Sequence, residues 1–255
     1  KVRYFRYFDT DTKLVNSEGM IVDLKQAGSK DVVLLHGCCH NPTGADLSFE
    51  DWKIITELAQ KQGFLPFIDM AYQGFGSGMQ EDVQGFRYLA ERVESYVVTY
   101  SCSKNFGLYR ERTGLAIVVG KTLEQSLAIK SRLLEIARGT YTMPPDHGAA
   151  LVDIILRDDS LTDNWLSEVE SMRLRVKGLR TQLVNALREK SGNSVFDFIA
   201  QHQGMFSVLG ISPEQVKALS EQHGIYIVGG GRVNMAGLQE NQVDYFADSL
   251  LAVSC

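Results

Sequence analysis

The chain has 255 residues, of which 44% are apolar and 22% charged, and it carries a net charge of −5. That is a normal globular balance, with enough chain for one large domain or two ordinary ones and for a core that needs neither disulfides nor metal. No Lys/Arg run supplies the basic footprint of a nucleic-acid partner, and no apolar run approaches the roughly 20 residues of a membrane helix.

The first residues, Lys-Val-Arg-Tyr-Phe-Arg-Tyr-Phe, read as the middle of a strand, so a fragment or truncated product is expected. They show no signal-peptide pattern. The irregularly spaced Cys38, Cys39, Cys102 and Cys255 make no disulfide framework. A reducing, cytoplasmic setting is therefore expected. Residues 31–37 form a short apolar run closed by Gly37 and predict a buried strand. Residues 48–62 predict a helix, with Ser48 at its start, Glu50 and Asp51 in the first turn and Gly63 at its stop. Residues 64–70 predict a second buried strand ending in Asp69. A helix over 81–93, a third strand over 96–101 and a fourth over 114–120 follow. This alternation predicts an α/β fold with a mostly parallel sheet.

Beyond Gly120 the pattern predicts helices over 121–137, 145–158 and 161–190. The last carries Leu161, Trp165, Val169, Met172, Val176, Leu179, Leu183 and Leu187 at helical spacing. Strands near 196–200, 205–209 and 225–228, with helices near 213–223 and 239–253, predict a smaller α+β unit. The division is placed within the long helix, near 160 to 175, giving domains 1–165 and 166–255.

Several short segments carry chemistry. Lys104 directly follows a strand at the edge of a parallel sheet, where open α/β sheets place ligands, and a desolvated lysine there can form an imine. Ser101, Ser103 and Arg112 bring hydroxyls and a guanidinium suited to a phosphate. Taken alone, the same string reads equally well as an exposed loop. Asp69 ends an otherwise apolar strand, where a carboxylate needs a partner such as a protonated ring nitrogen; Tyr72 follows three positions on. A helix cap and a surface tyrosine are the alternative. His36, Cys38, Cys39 and His40 suggest a metal site, although adjacent cysteines converge poorly on one ion. Asn41, in the turn string Asn-Pro-Thr-Gly, offers an amide. Arg232 follows three glycines at a strand start and suits bidentate carboxylate recognition, or a surface ion pair.

In order, His-Asn-Pro-Thr-Gly, Asp-Met-Ala-Tyr-Gln-Gly-Phe, Ser-Cys-Ser-Lys-Asn-Phe-Gly-Leu-Tyr-x-Glu-Arg, Arg-Gly-Thr-Tyr-x-x-Pro-Pro-x-His-Gly and Gly-Arg-Val-Asn resemble the class I aminotransferases. Within them the chain is most similar to the aspartate and aromatic-amino-acid subgroup. The resemblance implies the fold-type I architecture of pyridoxal-phosphate enzymes. It also implies transamination between an amino acid (aspartate, glutamate or aromatic) and a 2-oxo acid such as 2-oxoglutarate. By the same resemblance, Lys104 forms the Schiff base with pyridoxal phosphate and then moves the proton. Asp69 pairs with the pyridinium nitrogen, Tyr72 and Asn41 hydrogen-bond the ring oxygen, and Ser101, Ser103 and Arg112 hold the phosphate. Arg232 takes the substrate α-carboxylate. Arg138 reaches the neighbouring site of a homodimer and binds a distal carboxylate. The Asn41–Pro42 bond is expected to be cis. The family's N-terminal third is not matched, so the alternative is a catalytically incomplete fragment that serves folding or dimerisation.

Overall fold

The computed structural model describes residues 1–254; Cys255 lies outside the described residues. Residues 1–16 form an open segment with one isolated bridge, Phe8 to Val15, and not the expected strand interior. A short helix that the sequence reading did not single out, α1 (Ser17–Leu24), follows; the Asn16 side chain caps it by accepting from Gly19 N. At 8 residues it is too short to show a clear period.

The strands β1 (Val32–His36), β2 (Leu65–Met70) and β3 (Tyr96–Ser101) pair in parallel. Between β1 and β2 runs α2 (Phe49–Gln62), opened by a capping box of Ser48 and Asp51 and closed by Gly63 in the left-handed conformation. It buries Trp52, Ile55, Leu58 and Ala59 against the sheet, each large side chain contributing about 1.5–3 kcal/mol. Between β2 and β3 the expected helix is a 3-10 turn, Glu81–Val83, leading into α3 (Gln84–Ala90). The fourth strand, β4 (Gly114–Val119), pairs antiparallel with β3, so the sheet order is β1-β2-β3-β4 with one reversed edge.

Three helices follow: α4 (Leu123–Thr140), α5 (His147–Arg157) and α6 (Asp159–Ser191). The last is 33 residues long, and its buried Val176, Leu179, Leu183 and Leu187 recur at helical spacing in its second half. They join a second core cluster with Phe198, Ile199, Val233, Phe246 and Leu250, separate from the cluster around the sheet.

The remaining elements are β5 (Phe206–Val208), α7 (Pro213–His223), β6 (Arg232–Asn234) and α8 (Val243–Ser254). Two expected strands are corrected here. Residues 197–201 form a 3-10 helix that buries Phe198 and Ile199. Residues 225–228 contribute only an isolated bridge from Val228 to Arg232, because the glycines beyond turn the chain at once and β6 pairs with β5. A β-like composition was overridden in both by tertiary packing.

Candidate functional site

Parallel pairing aligns His36, Asp69 and Thr99 across the sheet and brings the loops after β1, β2 and β3 to one edge. The loop after β1 is tied down from several sides. The Asp46 carboxylate accepts from Cys39 N at 2.6 Å and from His40 N at 2.7 Å. Tyr7 stacks on the His40 ring at 4.1 Å and donates its hydroxyl to Ala45 O at 2.7 Å. The residue Asp46 is partly exposed, but its carboxylate is enclosed, and burial pushes it up to about 6. Gly44, at φ +75°, lets the loop pass against the Phe206 carbonyl, which a Cβ there would meet at 2.3 Å. The Asn41–Pro42 bond is cis.

That loop presents Asn41 to two other elements. Its Nδ2 donates to Tyr72 Oη at 3.3 Å, and its Oδ1 accepts from Arg232 NH1 at 2.9 Å. The Arg232 guanidinium also lies over the Phe206 ring at 4.7 Å, and Phe206 meets Tyr72 edge-on at 6.1 Å. Burial raises the Tyr72 phenol above its ordinary value, opposed by the hydrogen bond from Asn41.

Lys104 comes from the loop after β3. Its Nζ sits 4.3 Å from the centroid of the Tyr72 ring. Burial lowers its amine below the ordinary lysine value; the Asp69 charge opposes this and the Arg112 charge adds to it. Ser101 Oγ donates to Ser103 Oγ at 3.0 Å, setting the hydroxyls side by side. Arg112 is exposed, with φ +53°, and donates to Tyr109 O at 3.1 Å.

Asn41, Asp69, Tyr72, Ser101, Ser103, Lys104, Arg112 and Arg232 are thus drawn to one edge of the sheet from segments spread along the chain. Arg138 is not among them. It is exposed in the last turn of α4 and makes no hydrogen bond or ion pair to another candidate among the described residues. Phe206 was missed by sequence reasoning, because an aromatic in a short strand carries no signal of the guanidinium above it.

The metal reading is not assembled as expected: among the described residues neither His36 nor His40 joins Cys38 and Cys39 in a cluster of ligand atoms. Cys38, Cys39 and Asp82 bring ligand atoms within 4.8 Å of one another. Yet the Asp82 carboxylate already accepts from Gly74 N, Ser77 N, Gly76 N and Gly78 N at 2.7–3.3 Å, which uses its lone pairs. A cavity of about 670 Å³ runs along the open face of β1, from Lys1 to His36 and His40, and does not include Lys104.

A family model described as aminotransferase class I and II matches residues 1–250. The chain belongs to that family. It is 45% identical over 252 residues to an aromatic-amino-acid aminotransferase of Paracoccus denitrificans, covering 99% of this chain and 64% of that protein. It is 40% identical over 253 residues to an aspartate aminotransferase of Escherichia coli (strain K12), covering 99% and 64%. A crystal structure of an aromatic-amino-acid aminotransferase from Burkholderia pseudomallei, covalently bound to pyridoxal phosphate, superposes with a TM-score of 0.96 at 36% identity, covering 99% of this chain and 63% of that one. The chain therefore has the α/β fold of these aminotransferases, and it spans 64% of the length of the curated relatives it matches. Among the described residues no helix is long and apolar enough to cross a membrane.

Proposed function

We propose that this chain carries the lysine-bearing part of a pyridoxal-phosphate-dependent aminotransferase acting on aspartate, glutamate or aromatic amino acids, with a 2-oxo acid such as 2-oxoglutarate as the acceptor. The observation that carries this reading is the Lys104 amine, held beside Tyr72 and lowered by burial, at a sheet edge shared with Asp69. The donor set fits the cofactor. Lys104 matches its aldehyde, Asp69 its basic ring nitrogen, Tyr72 and Asn41 its ring oxygen, and Ser101, Ser103 and Arg112 its phosphate.

When bound, pyridoxal phosphate supplies an electron sink for the bonds around the amino acid's α-carbon. The chain's residues do the rest. Arg232 binds the α-carboxylate through its fork and so orients the α C–H bond. The Lys104 amine, when free, would take that proton as a general base and give a proton back as an acid; its lowered pKa suits both tasks. Asp69 holds the ring nitrogen protonated by placing a carboxylate against it. Asn41 bonds both Tyr72 and Arg232, so the carboxylate clamp is tied to the group that tunes the ring oxygen.

We assign Arg138 to the distal carboxylate of a dicarboxylic substrate in the neighbouring subunit of a homodimer. Its exposure supports this, as does the apolar surface of α4 and α5, where Leu127, Leu134, Ile136, Ile154 and Leu156 are all exposed. The separate core clusters support a cofactor-binding unit over 1–165 and a small unit over 166–255. A cytoplasmic location accords with the free, buried Cys38, Cys39 and Cys102.

The test is an absorbance spectrum of the chain with added pyridoxal phosphate, followed by borohydride reduction and peptide mapping. A retained band at roughly 360–430 nm, with the label on Lys104, is expected. No retained band, or label spread over several lysines, would overturn the reading for this chain.

A further inference from the structure

The residue after Lys104 is held more tightly than Lys104 itself. Asn105 is 2% exposed. Its Nδ2 donates to Tyr100 Oη at 2.7 Å and to Gln73 O at 3.1 Å. Its backbone carbonyl accepts from the Trp165 indole at 2.7 Å, and the next residue, Phe106, stacks on the same indole at 4.3 Å and 14°. One residue thus joins the end of β3, the loop after β2 and the first turns of α6. Gln73 adjoins Tyr72, whose ring Lys104 covers. The ties therefore fix the two segments that carry Lys104 and Tyr72 in register with each other.

The arrangement has a cost. Asn105 Oδ1 is buried with no hydrogen-bond partner. An orphaned buried acceptor destabilises a fold, but an apolar residue of similar size would strip Gln73 O and Tyr100 Oη of their donor. Packing alone does not account for an amide here; its donors, aimed at both neighbouring segments, do. On the other side of Lys104, Ser103 N donates to Ser101 Oγ at 3.2 Å and Cys102 N to Thr113 O at 3.0 Å. The backbone is therefore anchored before and after the lysine, and the freedom left to its amine is that of the side chain.

We propose that Asn105, with Tyr100 and Trp165, is a positioning clamp for Lys104 that holds the amine against the Tyr72 ring and away from bulk water. This rests on the reading of Lys104 as the reactive amine, but the clamp acts on the amine whether or not a cofactor is bound. Burial is the largest cause of the lowered Lys104 pKa, as a clamp that limits solvation requires.

The experiment is competitive acetylation of the cofactor-free chain across pH, with the extent of labelling at Lys104 and at exposed Lys130 read by mass spectrometry. The variants are Trp165→Phe, which keeps a ring for Phe106 but removes the indole donor, and Tyr100→Phe, which removes only the hydroxyl. In the wild-type chain the Lys104 midpoint lies below that of Lys130. In each variant it rises by at least half of that gap, the Lys104 plateau rises as the amine gains solvent, and Lys130 stays put. A variant that keeps its far-ultraviolet circular dichroism but leaves the Lys104 midpoint and plateau unchanged overturns the clamp. If Trp165→Phe does not fold, Tyr100→Phe decides. The pyridoxal-phosphate spectrum is recorded in parallel. No band in the wild-type chain, with shifted midpoints in the variants, sinks the functional reading and leaves the clamp. A wild-type band with unshifted midpoints does the reverse.

Discussion

Asn41 and Arg232 are 191 positions apart in the chain, and the guanidinium NH1 donates to the amide Oδ1 at 2.9 Å. This bond joins the loop after β1 to β6. It holds the fork of Arg232 in one orientation, which would reduce the ordering required if Arg232 binds the α-carboxylate as proposed. Replacing Arg232 with Lys removes the fork and keeps the charge. The half-saturating amino-acid concentration in the first half-reaction is expected to rise ~10–100-fold, about 1.5–3 kcal/mol. A spectral titration reads it. An unchanged value would mean that Arg232 does not bind the α-carboxylate.

The sign of the Lys104 pH dependence follows from its neighbours. Asp69 stabilises the ammonium form, whereas Arg112 destabilises it. Asp69→Asn is therefore expected to lower the labelling midpoint of Lys104 further, and Arg112→Gln to raise it. Movement of both midpoints in the same direction would show that the charges of these residues do not act on the amine.

Gly44→Ala is expected to destabilise the chain by about 2–4 kcal/mol, from backbone strain at positive φ together with overpacking. The clash is with the Phe206 carbonyl, which is backbone and cannot swing aside. The same change pushes the Asn41 loop away from Phe206. Denaturant unfolding measures the loss, and a midpoint equal to that of the wild-type chain would contradict the close approach.

His202 is buried, with Nε2 donating to Lys13 O at 2.7 Å and Nδ1 accepting from Ser207 Oγ at 3.1 Å. Burial lowers it from 6.5 to about 4. The unfolded chain therefore binds the proton first as pH falls below the unfolded value, and the stability that His202 contributes is lost between pH 6.5 and about 4. Enclosed Asp46, raised to about 6, works the other way: its carboxyl favours the folded state below its unfolded value, and that contribution is lost as pH rises through 6. The His202 effect is about 3 kcal/mol. His202→Gln is expected to flatten the fall in thermal midpoint over this range. An unchanged slope would place the acid sensitivity elsewhere.

Arg138→Asp is expected to lower kcat/KM for aspartate by ~100-fold or more, about 2.7 kcal/mol, and to leave an aromatic substrate within a few-fold. Retained aspartate turnover would rule out Arg138 as the distal-carboxylate residue.

Local chemistry made part of the protein legible in its sequence. Ser48, Asp51 and Gly63 delimit α2 because capping is a property of neighbouring residues. Apolar runs locate β1, β2 and β3, but β1 lies at the sheet edge with Val32 and Leu34 exposed, so its expected burial holds on one face only. The lysine string after β3 and the aspartate next to last in β2 follow from strand position alone. Other features depended on contacts between distant residues. The 3-10 helix at 197–201 replaced a strand because Phe198 and Ile199 pack into the core beside α6. Placing Phe206 beneath Arg232, and Asn41 between Tyr72 and Arg232, required the sheet edge and β6 to meet. The tie from Asn105 to Trp165 spans 60 positions. The periods and caps of a sequence report which element forms. Which side chains then meet is decided by the packing of elements far apart in the chain, and no local pattern encodes it.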